Sequence, residues 1–209
     1  GAAGSTIEEI YIRGINLTGQ IPTSIAKCDS LRTLLLSLTN LEGSIPSSLG
    51  NLTQLQTLFL STTGLQGSIP PSIWQLPHLQ MLVIEDLNVV DTVNNHPYEP
   101  RPYKLYGSLP STFGFCSTAG STIEDIYIDG INLTGQIPAS IGTCASLQNL
   151  DLSHTNLVGS IPSSLGNLTQ LQTLALQSNN LTGKIPTTLS SCSQLTQLRL
   201  GFNPLRGSI

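Results

Sequence analysis

Charge is what this chain has least of. Only 10% of its 209 residues are Asp, Glu, Lys or Arg, where ordinary soluble domains carry roughly 25%. Eight Lys and Arg stand against twelve Asp and Glu, a formal net charge of −4. The basic residues are scattered and form no basic stretch, which excludes nucleic acid and anionic polysaccharide as partners. Aromatics are scarce at 5%, with a single Trp at Trp74 and a single Met at Met81. No apolar run reaches the ~20 residues a bilayer requires, so no membrane span is expected within the chain. No signal peptide stands at its start, although a trimmed chain would have lost one.

Catalytic signatures are missing too. There is no HExxH, GxGxxG, CxxC or phosphate-binding loop, so no catalytic residue, metal or cofactor is expected. His78, His96 and His154 are far apart in sequence. His154 follows Asp151 and Ser153 closely, but alternation along a strand is expected to turn neighbours to opposite faces, which argues against a triad. Glu8-Glu9 and Glu124-Asp125 recur as surface pairs rather than facing acid and base. The chain is not read as an enzyme.

What the chain has is repetition at two scales. Leu31, Leu34, Leu36, Leu41, Gly43, Ile45 and Pro46 return 24 residues later as Leu55, Leu58, Leu60, Leu65, Gly67, Ile69 and Pro70. The segment SIPSSLGNLTQLQTL at 44–58 returns letter for letter at 160–174, a step of 116 residues. The short beat means a solenoid whose coils bury their apolar sides against one another. The long beat means a block of coils copied in tandem. We therefore expect one solenoid of eight coils over 1–209. Its first four-coil block covers 1–116, and a second, truncated copy covers 117–209.

Within each coil LxLxx has strand periodicity, with two inward leucines such as Leu58 and Leu60. Stacked coils lay these strands side by side as a parallel sheet. A GxIP turn follows, in which Gly permits the bend and Pro prevents a long helix from starting before it. The later apolar pair, such as Leu49 and Leu52, is spaced for a 3-10 or short helical turn.

The LxGxIPxxLxxLxxLxxLxL pattern resembles the plant-type extracellular leucine-rich repeat of receptor-kinase ectodomains, receptor-like proteins and polygalacturonase-inhibiting proteins. The resemblance spans 7–89 and 105–209. It implies a right-handed α/β solenoid, an extracellular or cell-surface location, and non-enzymatic binding of a protein, peptide or glycan. Two departures stand out. The ninth position, usually Asn in that family, holds Ile15, Thr39, Thr63, Leu87, Ile131, Thr155, Asn179 and Asn203. The turn bonds are then expected to be rebuilt locally, through the following Asn16, Asn40, Asn88, Asn132 and Asn156. The family's cysteine-paired caps are also missing, which implies either a fragment of something longer or ends covered by further copies.

Five N-x-[ST] sequons, at Asn16, Asn51, Asn132, Asn167 and Asn180, are candidate N-linked glycan sites. Glycans would supply the hydration that a low-charge surface lacks. Cys28, Cys116, Cys144 and Cys192 all occupy the last apolar place of a coil. Cys116 and Cys144 lie in consecutive coils, where strand-like stacking brings equivalent atoms about 5 Å apart. They form either a disulfide or two buried thiols.

The 20 extra residues of the fourth coil centre on an island at about 90–104, reading VDTVNNHPYEPRPYK from Val90. Its His96, Tyr98, Arg101 and Tyr103 have interface chemistry, against the alternative of a solvated loop. The variable strand position forms a column of Tyr11, Leu35, Phe59, Val83 and Tyr127, continuing as Asp151, Ala175 and Arg199. Its apolar half is either a binding patch or ordinary strand propensity. Two functions remain. One is recognition of a partner on the strand face and island. The other is a structural glycoprotein whose copies assemble end to end into a fibre.

Overall fold

The computed structural model describes residues 6–86, 104–117 and 122–207. The chain is a leucine-rich-repeat solenoid. Each coil contributes one strand to a main parallel sheet and, where a second is formed, a short lateral strand. The first coil holds β1 (Glu9–Arg13) and β2 (Thr18–Gly19), the second β3 (Thr33–Ser37) and β4 (Asn40–Leu41). The third holds β5 (Thr57–Ser61) and β6 (Gly67–Ser68), and the fourth β7 (Met81–Glu85) and β8 (Leu105–Ser108). Then come β9 (Asp125–Asp129) with β10 (Asn132–Thr134), β11 (Asn149–Asp151) with β12 (Val158–Ser160), and β13 (Thr173–Ala175) with β14 (Asn180–Thr182). The eighth coil gives β15 (Gln197–Arg199). The main sheet has eight strands in the order β1-β3-β5-β7-β9-β11-β13-β15.

Alternation fixes the core. In β3, Leu34 and Leu36 are buried while Thr33 and Leu35 are only half-covered. The same inward pair recurs as Leu58 and Leu60, then Leu82 and Ile84, then Ile126 and Ile128. Each such side chain contributes roughly 1.5–3 kcal/mol of hydrophobic stabilisation. Five-residue 3-10 turns close the far side, for example Ser47–Asn51 and Ser163–Asn167, each entered through an extended proline. Gly166 sits in such a turn because a Cβ there would overlap the Thr188 carbonyl of the next coil. Hydroxyls stitch successive turns together: Ser72 Oγ donates to Ser47 O (2.8 Å) and Thr188 Oγ1 to Ser163 O (2.7 Å).

The lateral strands follow a different step. The main sheet pairs residues 24 apart in sequence, such as Leu35 with Phe59. The lateral pairs Thr18 with Asn40 and Val158 with Asn180 are 22 apart. Each coil therefore slips by two residues along this flank.

Three features depart from simple repetition. The fourth coil ends in a short helix α1 (Gly114–Ser117) in place of the usual 3-10 turn. Trp74 stands where the preceding coil has Gly50, and it meets Phe113 edge-on with centroids 6.0 Å apart. Phe113 in turn stacks on Phe115 at 5.4 Å. Secondly, Lys104 belongs to the coil and not to the insertion, because its carbonyl accepts the Gly67 N–H (2.8 Å).

Thirdly, the turn after a main strand takes a left-handed residue in seven of the eight coils, Gly14, Leu38, Thr62, Gly130, His154, Ser178 and Phe202, with φ between 49° and 67°. A β-branched residue such as Thr62 is strained there.

Cys116 and Cys144 are joined as a disulfide, their Cα atoms 4.4 Å apart. Cys28 and Cys192 are free; Cys192 is buried, while Cys28 is only half-covered.

The ninth-position asparagines make the turn bonds where they occur. Asn179 Nδ2 donates to Leu152 O (2.8 Å) and Leu176 O (3.2 Å), and its Oδ1 accepts the Leu157 N–H (3.0 Å). Asn203 repeats the pattern on Leu176 O, Leu200 O and Leu181 N–H. The following asparagines bond to one another instead: Asn40 Nδ2 to Asn16 Oδ1 (2.5 Å) and Asn156 Nδ2 to Asn132 Oδ1 (2.9 Å). They lie on the outer side of the turn, so they do not take over the missing backbone bonds. Thr39 Oγ1 in consequence is buried without a partner.

Candidate ligand-binding face

The outward face of the main sheet is built from residues between the inward leucines. Backbone pairing sets Tyr11, Leu35, Phe59, Val83 and Tyr127 directly side by side across β1, β3, β5, β7 and β9. The same line continues through Asp151, Ala175 and Arg199. Tyr11 is 60% exposed, and Leu35, Phe59 and Tyr127 are half-covered. Val83 corrects the sequence expectation of an exposed position. It is 3% exposed, lying between Phe59 and Tyr127 on the flanking strands. Along this line it is Tyr11, Leu35, Phe59 and Tyr127, not Val83, that reach solvent. His96, Tyr98, Arg101 and Tyr103 of the island lie outside the described residues.

Beside this column sits an acidic group that the sequence reading passed over. Glu85, Asp125, Asp129 and Asp151 come from the neighbouring strands β7, β9 and β11. Burial, above all, raises the Glu85 carboxyl above its usual range, against a hydrogen bond from Ser61 Oγ (3.2 Å), with the charges of Asp129 and Asp151 adding to the rise. Asp151 is raised first by burial as well, opposed by the hydroxyl and N–H of Ser153. Burial also lifts the Tyr127 phenol, with Asp125, Asp151 and Glu85 reinforcing it. Asn149 Nδ2 holds Asp125 Oδ1 at 2.7 Å.

His154 departs from the expectation that strand alternation would turn it away. β11 ends at Asp151, and the left-handed φ of 49° at His154 swings its ring back to the acidic group. Its Nδ1 lies 2.8 Å from Asp129 Oδ1. That hydrogen bond raises the imidazole above its ordinary value, against burial, with the Asp129 and Asp151 charges helping. Ser153 Oγ donates to Asp151 and to Asp129 (3.4 Å). The serine is thus held by carboxylates, and the arrangement suits charge recognition better than nucleophilic attack. Among the described residues, no group of three His, Cys, Asp or Glu could hold a metal ion. The signal that could have found this cluster was the third outward row of the strands, where Glu85 and Asp129 replace Ser37 and Ser61.

The sequon asparagines all lie off this face. Asn51 and Asn167 end 3-10 turns and are exposed. Asn132 and Asn180 begin lateral strands, the first half-covered and the second exposed. Asn16 is exposed in the turn after β1.

The architecture defines the class as a leucine-rich-repeat solenoid. Leucine-rich-repeat family models match residues 30–52, 54–76 and 145–205, together about half of the chain. The chain belongs to the leucine-rich-repeat family, with coils of the plant extracellular type. No curated protein sequence matches it.

Solved structures do. The plant peptide hormone receptor RGFR1 in complex with RGF2 is 30% identical with a TM-score of 0.83, over 98% of this chain and 30% of that one. The ectodomain of the Arabidopsis thaliana receptor kinase GASSHO1/SCHENGEN3, in complex with CASPARIAN STRIP INTEGRITY FACTOR 2, is 34% identical with a TM-score of 0.83. That match covers 98% of this chain and 22% of the receptor. A plant ice-binding protein is 26% identical with a TM-score of 0.69, over 97% of this chain and 66% of that one. The chain thus spans less than a third of the two receptor chains.

Proposed function

We propose that the chain is the recognition surface of an extracellular, non-enzymatic protein. Its ligand is an extended peptide lying across the main sheet. The observation that carries this reading is the in-register column Tyr11–Leu35–Phe59–Tyr127 adjoining Glu85, Asp125, Asp129 and Asp151. Apolar side chains on a sheet face give anchor contacts. Grouped carboxylates of one sign select a cationic residue in the ligand. The peptide-hormone complexes among the similar structures support the same class of partner. Glycans at Asn16, Asn51, Asn132, Asn167 and Asn180 would leave this face bare. The island residues His96, Tyr98, Arg101 and Tyr103 would extend it.

The test is selection from a displayed random-peptide library on the immobilised chain. Recovered peptides should pair apolar residues with Lys or Arg. Phe59→Asp should weaken their binding at least tenfold with unchanged circular dichroism. Recovery of no binders, or binders indifferent to Phe59→Asp, overturns the reading. Light scattering on the same material tests the alternative of end-to-end assembly: a dilute monomer argues against a fibre.

One observation favours a second reading, binding of ice. No charged residue occurs between Glu42 and Glu85, and only Asp151 between Asp129 and Lys184. The 3-10 side there carries ranked Ser, Thr and Asn at one-coil spacing, and a plant ice-binding protein is among the similar structures. Slowed ice recrystallisation by the unglycosylated chain supports this reading, and no effect removes it. Glycans on Asn51 and Asn167 would cover this side, which is why the sheet face is preferred.

A further inference from the structure

Two large apolar side chains are exposed on the lateral flank: Tyr106 at 51% and Val158 at 42%. Each is the direct backbone partner of a sequon asparagine. Tyr106 in β8 pairs with Asn132 in β10, and Val158 in β12 pairs with Asn180 in β14. The two-residue slip of the lateral strands produces both pairings. Without it each asparagine would face a residue two places earlier on its neighbour, Asn180 for example facing Asn156. Parallel partners in register present their side chains on the same face about 5 Å apart. In β10 and β14 the middle residue, Leu133 or Leu181, points inward, which sends Asn132 and Asn180 outward with their partners.

A pocket of about 410 Å³ opens beside the Tyr106–Asn132 pair, within the size range of small-molecule sites. Trp74, Pro71 and Pro110 give it apolar walls, and Ser108 and Thr134 give it hydroxyls. Apolar walls with a few polar groups are the chemistry that takes a sugar ring, whose C–H face packs on an aromatic and whose hydroxyls need partners.

We propose that N-linked glycans on Asn132 and Asn180 fold back onto Tyr106 and Val158, the first sugar on Asn132 seating in this pocket. The proposal rests on the glycoprotein reading above. Attachment forms a bond from the sugar C1 to the side-chain amide nitrogen, with loss of one N–H proton. The lipid pyrophosphate of the oligosaccharide donor is the leaving group. The Asn156 hydrogen bond to Asn132 uses Oδ1 and survives attachment. Thr134 and Thr182 stand at the third sequon positions and donate to Gly107 O and Gly159 O, which fixes both strands beside their partners. Glycans so placed cover the apolar flank of a surface that has little charge to keep it hydrated.

The experiment uses the chain secreted from plant cells. Site-resolved mass spectrometry reads occupancy, and peptide N-glycosidase applied under native conditions reads protection. Asn132 and Asn180 should be occupied and released at least tenfold more slowly than Asn51 and Asn167. Tyr106→Ala should bring the release rate at Asn132 up to that of Asn51 and leave Asn180 unchanged; Val158→Thr should do the reverse. Tyr106 is exposed, so its loss should leave the fold intact by circular dichroism. Equal release at all sites, or no response to Tyr106→Ala, overturns the proposal. Empty Asn132 and Asn180 beside occupied Asn51 and Asn167 overturn it alone, whereas five empty sites overturn the glycoprotein reading as well.

Discussion

The first four coils and the last four share one template and solve its problems differently. In β1, β3 and β5 the outward column is Tyr11, Leu35 and Phe59; in β11, β13 and β15 it is Asp151, Ala175 and Arg199. At the ninth position the second and third coils use Thr39 and Thr63, and the last two use Asn179 and Asn203. Asn179 satisfies three backbone groups, whereas Thr39 Oγ1 satisfies none and Thr63 Oγ1 accepts only the Leu65 N–H (3.4 Å). The first half carries the apolar stretch of the outward column, and the second half has the better-bonded turns. Copying a coil preserves the inward leucines that stacking demands. The outward and turn positions are free to diverge.

The largest test acts where the halves meet. The Cys116–Cys144 disulfide closes a loop with a sequence separation of 28 residues across that junction. Cys116→Ser with Cys144→Ser should lower stability by about 3 kcal/mol. Five residue pairs still join β7 to β9, so urea unfolding should remain a single transition. Two separate transitions would show that the island divides the solenoid into independently folding halves.

Next in size is the contrast at the ninth position. Asn179→Ala leaves the Leu157 N–H without its acceptor and removes one of the donors to each of the Leu152 and Leu176 carbonyls, and should cost about 2–3 kcal/mol. Thr39→Val removes a buried hydroxyl that bonds nothing, and should be neutral or stabilise by up to about 1 kcal/mol. Equal losses in the two variants would erase the distinction between the halves.

These positions also mark what the sequence could reveal. Inward leucines, GxIP turns and the column register were legible, because a fixed beat forces equivalent residues to stack. Exposure of Val83 was misjudged, since burial by side chains on flanking strands is not written in the residue's own strand. The lateral strands of two to four residues have no periodicity to read, so neither their two-residue slip nor the Tyr106–Asn132 pairing could be anticipated. His154 was misplaced for a related reason. Alternation was extended past the end of β11, into a left-handed turn that Gly14 and Gly130 signal in two coils and non-glycine residues hide in five others.

That turn supplies a smaller test. Thr62 holds φ 51°, a region costly for a β-branched residue, while Gly130 takes the equivalent turn in the fifth coil. Thr62→Gly should stabilise by about 1 kcal/mol, the relieved backbone strain exceeding the added chain entropy of glycine. His154→Gly relieves the same strain but loses the Asp129 bond, and should gain less or destabilise. A gain at His154 as large as at Thr62 would show that its ring contributes nothing to the acidic group.

The smallest effect is the pH response of that group. Asp129 raises the His154 imidazole above the ordinary value of 6.5. The stabilisation from its proton is fully present below the unfolded value and is lost as pH rises through the folded one. Glu85 and Asp151 are raised as well, by burial, so their protonated forms also favour the folded state. All three shifts run the same way: the chain should unfold at lower urea at about pH 8 than at about pH 6. His154→Asn should flatten that slope, because it removes the imidazole whose proton Asp129 holds. Phe59→Ala in the first half lies on β5, adds no titrating group, and should leave the slope as it is. A slope that survives His154→Asn would assign the response to another titrating group than the imidazole held by Asp129.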